Sequence, residues 1–160
     1  QYGKYAGHPK LGAADYQLSY KSEKTGRTAY SFCMCPGGMV VAAASESETV
    51  VTNGMSEYKR DRHNANSALV VSVSPEDFES KHPLSGIEYQ RHWERLAYKA
   101  GGGNYKAPVQ LVGDLLKNTP SNEIRSIKPS YLPGVATGDL NECLPTYVIN
   151  TIQEALPDFD

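Results

Sequence analysis

Residues 30–38 read Tyr-Ser-Phe-Cys-Met-Cys-Pro-Gly-Gly, an alternation of large and small side chains that suits a strand and not a helix. On a strand, Tyr30, Phe32 and Met34 share one face, while Ser31, Cys33 and Cys35 share the other. The first set is expected in the core. The second is small, polar and polarisable, and is expected to face a site. Pro36 is expected to stop the ladder, and Gly37-Gly38 to form a tight turn.

Outward from this stretch the hydrophobic period changes once along the chain. Tyr16, Leu18 and Tyr20 alternate with polar residues, residues 21–27 form a charged turn, and residues 28–35 return as a second strand. Residues 39–45 and 49–52 pair about Glu46-Ser47-Glu48, and residues 67–74 form a further strand. Asn53-Gly54 reads as a turn opening a polar loop over residues 53–66. From Ser85 or Gly86 the period becomes helical. Tyr89, Trp93, Leu96, Ala97 and Ala100 lie on one helix face, and Gly101-Gly102-Gly103 ends it. Residues 108–116 predict a shorter helix, residues 119–138 a long irregular connection, and Pro145 the start of a last helix with Val148, Ile149, Ile152 and Leu156 buried.

Strands first and helices after give an α+β fold and not a βαβ pattern. The expected architecture is an antiparallel sheet or partial β-barrel over about residues 15–74, then a helical part over about 84–156. At 160 residues the chain reads as a single domain, with a β part at 1–74 and a helical part at 75–160. A start at Gln1 and an end at Asp160 without a capping element lead us to expect a piece of a longer polypeptide.

Net charge is −2 and the basic residues are scattered, so neither a nucleic-acid footprint nor a polybasic membrane patch is expected. The longest apolar run, residues 39–44, is too short to span a bilayer, and no signal peptide is visible. Three cysteines do not suggest a disulfide framework. Cys33 and Cys35 would lie roughly 6.6–6.8 Å apart on an extended strand, at the edge of disulfide geometry. Reduced thiols and a cytoplasmic location are therefore expected.

The thiol pair has no cation or helix terminus beside it in sequence to lower its pKa, so packing is favoured over a pocket-facing or redox role. Metal binding is disfavoured. Cys143 is distant, and His8, His63, His82 and His92 have no ligand spacing. Gly37-Gly38 reads as a hairpin turn ahead of an anion-binding backbone nest. The polar cluster of Asn53, Arg60, Asp61, Asn64 and Asn66 reads first as local turn chemistry and second as a contact surface. No G-x-G-x-x-G occurs, so the usual dinucleotide fingerprint is missing.

The words from Tyr30 to Val41, Ala44-Ser45-Glu46, Asn53-Gly54-Met55-Ser56 and Ala65-Asn66-Ser67-Ala68 resemble the central part of a bacterial family of predicted FAD-dependent dehydrogenases. Pro83-Leu84-Ser85-Gly86-Ile87, Gln90-Arg91, Gly101-Gly102-Gly103 and Ala107-Pro108-Val109-Gln110 are similar to the same family further along. The resemblance implies a parent flavoenzyme whose dinucleotide-binding domain is split in sequence, with this chain as the inserted middle domain over the flavin. FAD is then the parent's cofactor and is not expected to be held by these residues alone. The expected partners are the parent's FAD-binding domain and a small-molecule substrate. In that reading this chain is the substrate-side or cap domain of an FAD-dependent oxidoreductase, inactive in isolation. Ser31, Cys33, Cys35, Gly37, Gly38, Asn53, Gly54, Met55 and Ser56 would face the flavin or substrate. The rival readings are a stand-alone interaction module using the 53–66 loop, and a thiol-dependent enzyme.

Overall fold

The computed structural model describes residues 2–12 and 17–160, so Tyr16, predicted to begin the first strand, and Gln1 lie outside the described residues. Four strands form one antiparallel sheet: β1 (Ser19–Lys21), β2 (Thr28–Ala42), β3 (Thr52–Met55) and β4 (Asn64–Val71). The long β2 is its axis. It pairs with β1 and β4 along its first part and with β3 over residues 39–42. Helix α1 (Ser85–Ala100) follows, then the short β5 (Ala107–Val109), the single turn α2 (Val112–Leu115), β6 (Val135–Thr137) and the closing helix α3 (Thr146–Phe159). The fold is α+β, and the described strands form no closed barrel.

Pro36 does not stop the ladder, and Gly37-Gly38 is not a hairpin turn. Strand β2 runs straight through both. The reason lies in its register with β4, which pairs Phe32 with Ala68, Cys35 with Asn66, and Gly38 with Asn64. At each step β2 advances one residue more than its partner, which defines two successive bulges. Cys33 (φ 50°) sits in the first and Gly37 (φ 60°) in the second. Pro36 falls within the second bulge, where its missing N–H leaves no ladder bond unmade.

The predicted core face is overturned as well. Tyr30, Phe32 and Met34 are 39%, 57% and 47% exposed, whereas Ala29 is 1% exposed. Helix α3 covers the Ala29 side. Ala29, Val71 and Ala155 form its centre, with Tyr20, Tyr147, Val148, Ile152 and Phe159 packed around them. A small Ala29 lets Ala155 approach closely. Large Tyr30 and Phe32 on that face would hold the helix off.

Two other expectations change. Asn53-Gly54 lies inside β3, opposite Val41 and Val40, so the irregular loop begins only after Met55. The helix predicted over 108–116 shrinks to α2, because Pro108 joins β5, which runs parallel to β6. A local β-turn-β crossover therefore exists where the coarse pattern gave none. A capping box closes the turn at Pro75–Asp77, with the Ser74 N–H donating to the Asp77 carboxylate at 2.8 Å. Helix α1 begins at Ser85 as expected.

A polar clasp ties the helices to the sheet. Arg27 donates from Nη1 to Asp77 Oδ2 at 2.8 Å and to the Ser72 carbonyl at 2.8 Å. Its guanidinium lies 3.8 Å over the Tyr147 ring, and the Tyr147 and Tyr89 hydroxyls are hydrogen-bonded. The Arg27 hydrogen bonds hold the Asp77 carboxyl below its usual range, although burial opposes this. Burial, then the Tyr89 bond, push the Tyr147 phenol up.

Candidate functional site

The second core cluster, Val50, Ala107 and Tyr131 with Val40, Ala97, Tyr98 and Val135, joins the far end of β2 to the β5–β6 pair. Beside it lies a cavity of about 520 Å³. That volume suits a small molecule. One wall is the end of β2 with Gly38, Val40, Asn64 and Asn66. The opposite wall is β5 with Gln110, and the irregular 121–131 segment crosses the mouth.

Hydrogen bonds set these walls. The Val40 N–H donates to Ser130 Oγ at 2.9 Å, and Asn64 donates to the Lys128 carbonyl at 2.8 Å, so the crossing segment is fastened to both β2 and β4. Ser121, which is buried, accepts from the Leu111 N–H at 2.8 Å and donates to Asp114 at 2.6 Å. Gln110 donates to the Thr119 carbonyl at 2.8 Å and accepts from the Leu140 N–H at 3.0 Å. Tyr131 donates to the Tyr105 carbonyl at 3.2 Å. The polar groups around this cavity thus serve the backbone first.

Of the predicted site residues, Gly38 alone lines the cavity. Gly37 is filled by the chain itself: a β-carbon there would overlap the Arg60 carbonyl, and the Gly37 carbonyl accepts from the Arg62 N–H at 3.0 Å. Gly38 and Gly54 flank the Asn66 carboxamide, and a side chain on either would strike it. Asn66 in turn donates to the Met39 carbonyl at 3.4 Å. The glycines therefore receive the protein's own backbone and a neighbouring asparagine.

The other predicted residues spread over the sheet. Ser31 Oγ pairs with Ser67 Oγ at 2.8 Å. The bulge separates the thiols: Cys33 is exposed, while Cys35 is half-buried and donates to the Cys33 carbonyl at 3.6 Å. Asn53 and Met55 are exposed on β3, with Asn53 Nδ2 4.0 Å from Met55 Sδ, and Ser56 is half-buried just beyond. Cys143 is buried beneath α3, where burial pushes its thiol up to about 11. That suits packing and not nucleophilic chemistry. Among the described residues no group of three or more His, Cys, Asp or Glu could hold a metal. No described helix is long and apolar enough to cross a membrane.

Sequence reasoning missed Gln110, Ser121, Ser130 and Tyr131 as wall residues. The signal for three of them was the long irregular 119–138 connection, which covers the cavity. A larger depression of about 870 Å³ runs along α1, lined by Asp77, Glu79, Glu88, Arg95 and Lys99 among others. Its lining mixes these charged residues with Leu84, Tyr89, Trp93 and Leu96.

Opposite α3, β2 and β4 present an apolar strip. Directly opposed antiparallel residues share a face, so Tyr30 lies with Val70 and Phe32 with Ala68. Phe32 and Ala68 are exposed.

Residues 1–160 match the family described as "FAD-dependent protein, C-terminal domain-like". A relative from Clostridium beijerinckii, named an uncharacterized protein, is 59% identical over 160 residues. The alignment covers 100% of this chain and 30% of that relative, so the chain spans less than a third of its length. The residues present here do not make a dinucleotide cradle. The backbone nest that Gly37-Gly38 would offer is filled by Arg60, Met55 and Asn66, and no Lys or Arg side chain lines the adjoining cavity.

Proposed function

We propose, from the premise that the chain belongs to the FAD-dependent protein C-terminal domain-like family, that it is the substrate-side or cap domain of an FAD-dependent oxidoreductase, a dehydrogenase. In this reading FAD is held by the remainder of the parent chain. These residues shape a pocket and exclude water from it. The observation that carries the reading is the apolar strip of Tyr30, Phe32 and Ala68, exposed among the described residues with half-buried Val70 beside it, on a chain matching only 30% of its relative. An apolar sheet face is a contact surface in waiting. The remaining 70% of such a parent supplies an occupant for it (100 − 30). The cavity beside Gly38 then serves as the substrate-side pocket. Three unpaired cysteines, Cys33 among them exposed, support a reducing, cytoplasmic setting.

The test is the full-length parent. It should purify with bound flavin, released as FAD on denaturation and read from its visible spectrum. A parent that purifies colourless and cannot be loaded with FAD overturns the reading.

A further inference from the structure

We propose that the cavity between the end of β2 and the β5–β6 pair takes an uncharged, ring-sized apolar group, and that charged ligands are excluded from it. This rests on reading the cavity as the substrate-side pocket, and it names the chemistry that pocket accepts.

The walls decide the class. Val40, Val109, Ile124, Ile127 and Val135 supply apolar surface on opposite sides of about 520 Å³. No Lys or Arg side chain lines the space, and α2, at four residues, offers no helix terminus for an anion. A phosphate or carboxylate would enter with no countercharge, and burying an unpaired charge against aliphatic walls is costly. A cation meets only Glu123, an exposed residue of the crossing segment. His63, which also lines the cavity, is exposed too.

What remains for recognition is neutral hydrogen bonding. Asn64 donates to Lys128, and its amide oxygen makes no hydrogen bond among the described residues. Gln110 has one N–H on Thr119 and its oxygen on Leu140 N, so a second N–H stays available. The carboxamides present a free acceptor and a free donor beside apolar walls. That set fits a flat neutral ring bearing an amide, carbonyl or hydroxyl substituent.

The test uses the full-length parent and three probes of one shape: 4-fluorobenzamide, 4-fluorobenzoate and 4-fluorobenzylammonium, followed by fluorine NMR line broadening. The amide should bind at least about tenfold more tightly than either charged probe, a gap of about 1.4 kcal/mol. Val109→Phe fills the space and should abolish amide binding. Ile124→Asp, on the irregular segment where folding is least at stake, should weaken the amide and favour the ammonium probe. Lys81→Ser, an exposed position ahead of α1 that does not line the cavity, should leave all three unchanged. Benzoate binding as well as the amide, amide binding that survives both lining substitutions, or no binding of any probe overturns the inference. Flavin content of the same samples is read separately. A colourless parent that still selects the amide defeats the flavin reading and leaves this one standing.

Discussion

The two faces of β2 make opposite use of the same alternation. On the α3 side the residues are small: Ala29 and Val71 meet Ala155, which is 0% exposed. On the other side they are large and uncovered, with Phe32 the most exposed of the strand's aromatics. In an isolated globular protein the large residues would be turned inward, since burying an aromatic side chain is worth more than burying an alanine. The inversion shows that closeness of helix packing, not residue size, chose the inner face. Among the described residues the aromatic face is left exposed.

The largest expected effect is on the small-residue side. Ala155→Leu forces extra volume into a contact with Ala29 and Val71 where no space remains. It should destabilise the chain by about 3 kcal/mol. Urea denaturation followed by the fluorescence of the single tryptophan, Trp93, measures it. A loss under about 1 kcal/mol would mean that α3 packs loosely, and that the contrast between the faces is weaker than the burial pattern indicates.

Alternation was legible in residues 30–38, and so was the existence of two faces. Which face would be inner was not, because α3 lies more than a hundred residues further along and the bulges at Cys33 and Gly37 shift the phase between them. Glycine has the same ambiguity. Gly37 and Gly54 announce that a side chain is forbidden, but not whether the space belongs to a turn, a ligand or the chain's own Arg60 and Asn66. Helices α1 and α3 were legible because long periodic segments with Gly or Pro at their ends leave few alternatives. The β5–β6 pair was not, since three-residue strands carry too little pattern and Pro108 suits a helix start equally well. The cavity inherits that gap: its β2 and β4 walls fall within words that were singled out, while its far wall depends on β5 and the crossing segment.

A middle-sized effect should come from the clasp that fixes α1 and α3 against the inner face. The Asp77 carboxyl is held below its usual range by Arg27, so its contribution is fully present above the unfolded value of about 3.9 and is lost as pH falls through the folded value. Stability should therefore be insensitive to this group between pH 7 and 5, then fall below about pH 4. Asp77→Asn should cost about 2 kcal/mol at pH 7 and flatten that acid limb. Denaturation midpoints collected from pH 7 to 3 would show it. An unchanged acid limb in the variant would place the pH dependence in other carboxylates, and leave the helices held mainly by the Ala29–Ala155 contact.

The smallest effect on folding is expected where the aromatics are largest. Phe32→Ser removes an exposed ring that no described residue covers, so the isolated chain should change by no more than about 0.5 kcal/mol. The full-length parent is where the substitution should tell. If the strip packs against the remainder of that chain, the serine should raise hydrogen exchange along β2 and β4 and make bound flavin easier to lose on dilution, while the isolated domain unfolds as before. A substitution that is silent in both settings would show the strip to be open in the parent as well. One that destabilises the isolated chain by 2 kcal/mol or more would mean that Phe32 is already buried there, and would erase the contrast between the two faces.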